Sequence, residues 1–218
     1  MNFAEYNVQD ANLEEVLLAL KSLDTVEAVA LGGSRSTGAS EENSDYDIYV
    51  YCSEIPTGKT RENLLGKYCS IAEFGNHYWE SEDNTVMNNG IPVDIIYREV
   101  DRFGRYIDTV IKGGKAFNGY TTAFWHNIKN SKVLFDKTGT FTKFRDMAQI
   151  DFPENLRSAI IKNNRNLLNG KLPSYDRQVK KAQERGDIVS VNHRITAFLE
   201  SYFDVIFALN RQTHPGEK

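Results

Sequence analysis

Leu31-Gly-Gly-Ser-Arg-Ser-Thr-Gly38, followed after five residues by Ser44-Asp-Tyr-Asp-Ile48, decides how this chain is read. The stretch is flanked by two short apolar runs, Val26 to Leu31 and Tyr46 to Tyr51, both rich in strand formers. Side chains two apart on a strand share a face, so Asp45 and Asp47 stand side by side while Tyr46 and Ile48 face the other way. Two carboxylates that close repel each other unless a cation lies between them. Oxygen-only ligands in that arrangement suit Mg²⁺ or Mn²⁺, which bind through a few carboxylates and substrate phosphates.

A third carboxylate, Asp94, falls in another apolar run, Pro92-Val-Asp-Ile-Ile-Tyr97. If the two strands are neighbours, Asp94 completes a cluster able to hold two metal ions, one on a triphosphate and one beside an attacking hydroxyl. The loop before Asp45 supplies a phosphate cradle. Gly32 and Gly33 let backbone N–H groups approach a phosphate, Ser34 adds a hydroxyl donor, and Arg35 can pair with outer phosphate oxygens. A helix starting after Ser34 would favour the same anion.

Gly33-Ser34, ten residues, then Asp45-Tyr-Asp47, with the later strand aspartate Asp94, resembles the nucleotidyltransferase superfamily that includes DNA polymerase beta and the antibiotic nucleotidyltransferases. The likeness covers residues 26–98, and no required motif position is missing. It implies that Asp45, Asp47 and Asp94 are catalytic metal ligands and that Gly32, Gly33, Ser34 and Arg35 hold the nucleotide. The implied cofactor is Mg²⁺ or Mn²⁺, with a nucleoside triphosphate as substrate. The tail Phe207-Ala-Leu-Asn-Arg…His214-Pro-Gly-Glu-Lys218 resembles an uncharacterised bacterial branch of the superfamily.

Further out, Leu13, Val16, Leu17, Leu20 and Leu23 repeat at helical spacing, with Asn12 and Glu15 placed as a capping pair. Thr60 to Glu73 and Val100 to Ile111 read as helices, and Ser131 to Phe135 as a strand. After Pro153 the pattern turns helical throughout, over Glu154–Asn169, Tyr175–Arg185 and Ile188–Leu209. The expected fold class is α+β: an N-terminal nucleotidyltransferase domain over residues 1–150, with a short mixed sheet flanked by helices, then a C-terminal helical bundle over 151–218.

Composition bounds the partners. With 12 Phe, 11 Tyr and 2 Trp the chain can fill a core, and a net charge of −4 disfavours a protein that coats nucleic acid. Met1 to Gln9 contains Glu5 and does not read as a signal peptide, and no apolar run is long enough to span a bilayer. Two cysteines, Cys52 and Cys69, make neither a disulfide framework nor a zinc set, so a cytoplasmic location is expected. Gly58-Lys-Thr60 imitates the end of a P-loop, but Ser53 stands where its first glycine belongs. Gly32 to Ser36 imitates a nucleophile elbow, but lacks the closing glycine. His77, His126, His193 and His214 lack metal-ligand spacing, and the basic residues Arg177 to Arg185 read first as a solvated helix face. Trp79-Glu-Ser-Glu-Asp83 reads as a polar loop, or as the lining of a site for a cationic acceptor.

The expected activity is Mg²⁺-dependent transfer of a nucleoside monophosphate, AMP from ATP, onto a hydroxyl of a small molecule resembling an aminoglycoside or lincosamide. A protein-modifying or toxin–antitoxin type nucleotidyltransferase and a non-catalytic nucleotide-binding domain stand as alternatives. Acceptor and oligomeric state stay open at this point.

Overall fold

The computed structural model describes residues 10–37 and 44–216. The expectations for Met1 to Gln9, for Gly38 and for the last two residues lie outside the described residues. The elements run α1 (Ala11–Lys21), β1 (Val26–Leu31), α2 (Gly33–Thr37), β2 (Tyr46–Cys52), α3 (Gly58–Leu65), β3 (Cys69–Asn76), β4 (Ser81–Met87) and β5 (Pro92–Glu99). They continue with α4 (Val100–Ile111), α5 (Ala123–Asn130), β6 (Lys132–Asp136), α6 (Thr140–Ala148), α7 (Glu154–Arg165), α8 (Tyr175–Glu184) and α9 (Ile188–Leu209). The chain is α+β, as expected, with a mixed sheet in the order β3-β4-β5-β2-β1-β6. Among the described residues only β2 and β5 pair in parallel.

Two compact units emerge. The first holds the described residues up to Arg105 together with Ile128–Met147, and the second holds Tyr106–Asn127 and the chain from Ala148. Among the described residues no helix is long and apolar enough to cross a membrane.

In the first unit the period-two alternation of β2 divides its side chains. Tyr46, Ile48 and Val50 enter a core with Leu13, Val16, Leu17 and Leu20 of α1 and with Val93, Ile95 and Tyr97 of β5. On the other face Tyr51 is fully buried against the rings of Phe103, Phe141 and Phe144, at centroid distances of 5.3, 5.3 and 5.7 Å. Burial pushes the Tyr51 hydroxyl up to about 12. Beside it the buried Arg98 donates to both oxygens of Glu80 at 2.8 Å and lies over the Tyr49 ring. The site-bearing face of β2 is thus sealed at its far end and polar at its beginning.

Three sequence expectations change. The helix expected over Thr60 to Glu73 stops at Leu65; a single 3₁₀ turn follows, and Cys69 begins β3. Trp79 to Asp83 is not simply a loop, because β4 starts at Ser81 and Asp83 is buried 3.3 Å from Arg61 of α3. Asp83 also accepts from the Gly75 amide at 2.7 Å, so the pair ties α3 to the β3–β4 hairpin from the face opposite Asn84. At α1 the cap is Asp10, which accepts from the amides of Asn12 and Leu13, in place of the expected pair.

In the second unit, the buried Asp204 of α9 gathers the segment before α5 and the end of α7. It accepts from the Thr121 amide at 3.2 Å, the Thr121 hydroxyl at 2.7 Å and Asn164 Nδ2 at 3.0 Å. Burial raises its carboxyl pKa from 3.8 to about 6, against the pull of those hydrogen bonds. The folded carboxyl therefore keeps its proton to higher pH than the unfolded one. Its stabilising contribution is complete below about pH 4 and is lost as pH rises through about 6. Urea unfolding followed from about pH 4 to pH 7 is expected to show a stability decline on the order of 2 kcal/mol from this group. Asp204→Asn is expected to flatten that decline.

Candidate active site

The parallel register of β2 and β5 sets Asp47 directly opposite Asp94. Asp45, just before β2, shares their face, and one carboxylate oxygen from each of the three aspartates lies within 4.8 Å of the others. Among the described residues this is the one acidic group so arranged. The expectation that the two strands are neighbours therefore holds, and the three carboxylates meet.

The glycine loop packs onto the same point. Gly32 leaves β1 with its amide donating to the Asp47 carbonyl at 2.8 Å. Gly33 then takes φ +59° and begins α2; a Cβ built there would lie 1.7 Å from Asp47 Oδ2. Only glycine fits, because the Asp47 carboxylate occupies the space a side chain would need. Ser36 closes the turn by donating its hydroxyl to the Gly33 carbonyl at 2.8 Å. Ser34 lies next to Gly33 in the same turn.

Arg35 faces the protein. Its Nε donates to the carbonyls of Ser44 and Asp45 at 2.9 and 3.1 Å, and its guanidinium lies 4.0 Å over the Tyr46 ring. The Tyr46 hydroxyl in turn donates to Asp10, the cap of α1, at 3.3 Å. Lys132 of β6 donates to the Arg35 carbonyl at 3.4 Å. The loop, the start of β2 and the first helix are thereby joined through one cation and one aromatic ring.

Of three residues around Asp94, only Glu82, in the Trp79 to Asp83 stretch offered above as an acceptor lining, carries a sequence signal. Asn84 of β4, opposite Asp94 in register, donates from Nδ2 to Asp94 Oδ1 at 2.9 Å. Asn76 of β3 donates to Asn84 Oδ1. Glu82, two residues before Asn84 on the same face, has its carboxyl pKa raised by burial and then by the Asp94 charge. Glu82 and Asn84 sit in a polar segment without strand patterning, and the pairing of β3 with β4 and of β4 with β5 brings all three to the site.

The donor set fits a hard divalent cation: three carboxylates, no sulfur or imidazole, and a close-packed glycine fixing one of them. Residues 13–117 match the model of the nucleotidyltransferase domain family. That segment belongs to the nucleotidyltransferase domain family. Residues 122–218 match a second family, a domain of unknown function, DUF4037.

Solved structures similar to this chain include a nucleotidyltransferase-like protein from Exiguobacterium sibiricum, at 10% identity and a TM-score of 0.43, covering 93% of this chain and 57% of that one. A spectinomycin adenyltransferase from Enterococcus faecialis, solved with ATP and spectinomycin, shows 15% identity and a TM-score of 0.40 over 92% of this chain and 97% of its own. A CCA-adding enzyme solved with CTP shows 14% identity and a TM-score of 0.32, over 96% and 57%. The chain thus spans little more than half the length of the first and third. The superfamily assignment rests on the domain match and the site geometry, not on these distant likenesses. No curated protein matches the chain.

Gly33→Ala tests the packing of loop against carboxylate. The left-handed backbone alone costs about 1–2 kcal/mol, and displacing Asp47 by about 1 Å is expected to cut nucleotidyl transfer about 100-fold. Gly139→Ala is the control, since it has φ +74° with open space around it. It should show only the stability loss by thermal unfolding.

Proposed function

We propose that this chain is a Mg²⁺-dependent nucleotidyltransferase that moves a nucleoside monophosphate, AMP from ATP, onto a hydroxyl of a small molecule. The observation that carries this reading is the meeting of Asp45, Asp47 and Asp94 beside a loop whose Gly33 leaves no room for a side chain.

Asp45, Asp47 and Asp94 hold the divalent cation, which supplies neutralising charge for the triphosphate and acidifies the acceptor hydroxyl. The backbone N–H groups of the Gly32–Ser34 loop and the Ser34 hydroxyl donate to the phosphates. Arg35 acts through the backbone, holding the Ser44 and Asp45 carbonyls just before β2. The acceptor oxygen attacks the α-phosphorus in line, and its proton passes to Asp94. The bond from the α-phosphorus to the bridging oxygen breaks, and pyrophosphate leaves with that electron pair.

Glu82 beside Asp94 favours an acceptor that carries a cationic group near the reacting hydroxyl. Aminoglycoside-like and lincosamide-like compounds have the required hydroxyl and amine chemistry.

Incubation with each nucleoside triphosphate, Mg²⁺ and a panel of hydroxylated amines should release pyrophosphate and add a nucleotide mass to one acceptor. The double variant Asp45→Asn, Asp47→Asn should fall to background. Without metal it should melt at or above the parental temperature, because two repelling charges are gone. It should also lose the stabilisation that Mg²⁺ and nucleotide give the parent. Metal-dependent nucleotide stabilisation that survives both substitutions would place the site elsewhere.

A further inference from the structure

The residues that face Asp94 from the neighbouring strands form an ordered amide relay. Three adjacent strands contribute one side chain each: Asn76 from β3, Asn84 from β4 and Asp94 from β5. Asn76 donates to the Asn84 oxygen, so the Asn84 nitrogen must face the carboxylate, which it meets at 2.9 Å. The reversed amide would set its oxygen against a carboxylate oxygen and leave two donors facing each other. The relay therefore has one direction. Asn84 consumes Oδ1 of Asp94, and the other oxygen has no hydrogen-bond partner among the described residues.

We infer that Asn84 is a positioning residue for the transfer reaction: it fixes the rotation of the Asp94 carboxyl, so that one oxygen is presented to the cation and the acceptor hydroxyl. This rests on the reading of Asp45, Asp47 and Asp94 as cation ligands.

The physical requirement comes from crowding. Three carboxylate oxygens lie within 4.8 Å of one another, and Asp47 is pinned against Gly33. Asp94 faces Asp47 from the neighbouring strand, and rotation of its carboxyl would relieve the repulsion between them. A neutral amide donor on its far side holds it in place without adding a competing charge. Partners that orient a ligating carboxylate typically contribute about 10–100-fold to metal affinity. Asn84 belongs to a strand fixed from its opposite face by the Arg61–Asp83 pair, so its backbone stays in place when the side chain is shortened.

The test measures Mn²⁺ binding directly, by loss of the free-ion electron paramagnetic resonance signal, on the full chain with a non-hydrolysable nucleoside triphosphate analogue. Asn84→Ala is expected to weaken Mn²⁺ binding about 10–100-fold. It should lower kcat more than it raises KM for the nucleotide, with the circular dichroism spectrum unchanged. Asn84→Asp, which keeps the shape and faces Asp94 with a charge, should regain neither property. If Asn84→Ala does not fold, Asn76→Ala carries the test, because it removes only the outer link of the relay and should produce a smaller shift in the same direction. Parental Mn²⁺ affinity and kcat in a folded Asn84→Ala, or in Asn76→Ala where that variant carries the test, would overturn the positioning role while leaving the cation site intact. A parent that binds no Mn²⁺ with the analogue would overturn the cation site itself, and the positioning role with it.

Discussion

The parallel pairing of β2 with β5 is the constraint on which the rest of the site depends. Its register puts Asp47 against Asp94, two like charges that a hydrophobic core holds together from behind. Ile48 and Val50 on one strand and Val93 and Ile95 on the other are buried in that core. A one-residue slip would turn all of them to the wrong face. Burial of the apolar set thus fixes the positions of the acidic set, and the cost of crowding carboxylates is met by packing away from the site.

Around that pair the chain removes freedom from each acidic member in a different way. Asp47 is confined by the absence of a side chain at Gly33, and Asp45 by the grip of Arg35 on its carbonyl. Asp94 is confined by a hydrogen bond from Asn84. Further along the same sheet face the polarity is closed off by the Arg98–Glu80 pair and the rings around Tyr51.

Much of the centre was legible in the sequence, and the edge was not. Strands β1, β2 and β5 announce themselves by apolar runs, because they are covered by a core. Helices α4 and α9 follow their periodicity to the residue. β3 and β4 do not, since Cys69–Asn76 is largely exposed and the start of β4 reads Ser-Glu-Asp-Asn. Their strand character comes from the pairing of β3 with β4 and of β4 with β5, which local patterning does not encode. Asn84 shares that history: nothing near it in the sequence marks it, and its partner Asp94 lies ten residues on, across a turn. The glycine loop stood out in the sequence, whereas the close contact between Gly33 and Asp47 required the fold.

The central claim is that the three aspartates and the glycine loop form one cation and triphosphate site. A crystal grown with Mn²⁺ and a non-hydrolysable nucleoside triphosphate analogue tests it most directly, through the anomalous scattering of manganese. The account predicts a manganese peak coordinated by Asp45, Asp47 and Asp94, with the phosphates on the Gly32–Ser34 loop. A nucleotide bound elsewhere, or manganese absent from the three carboxylates in its presence, would contradict it.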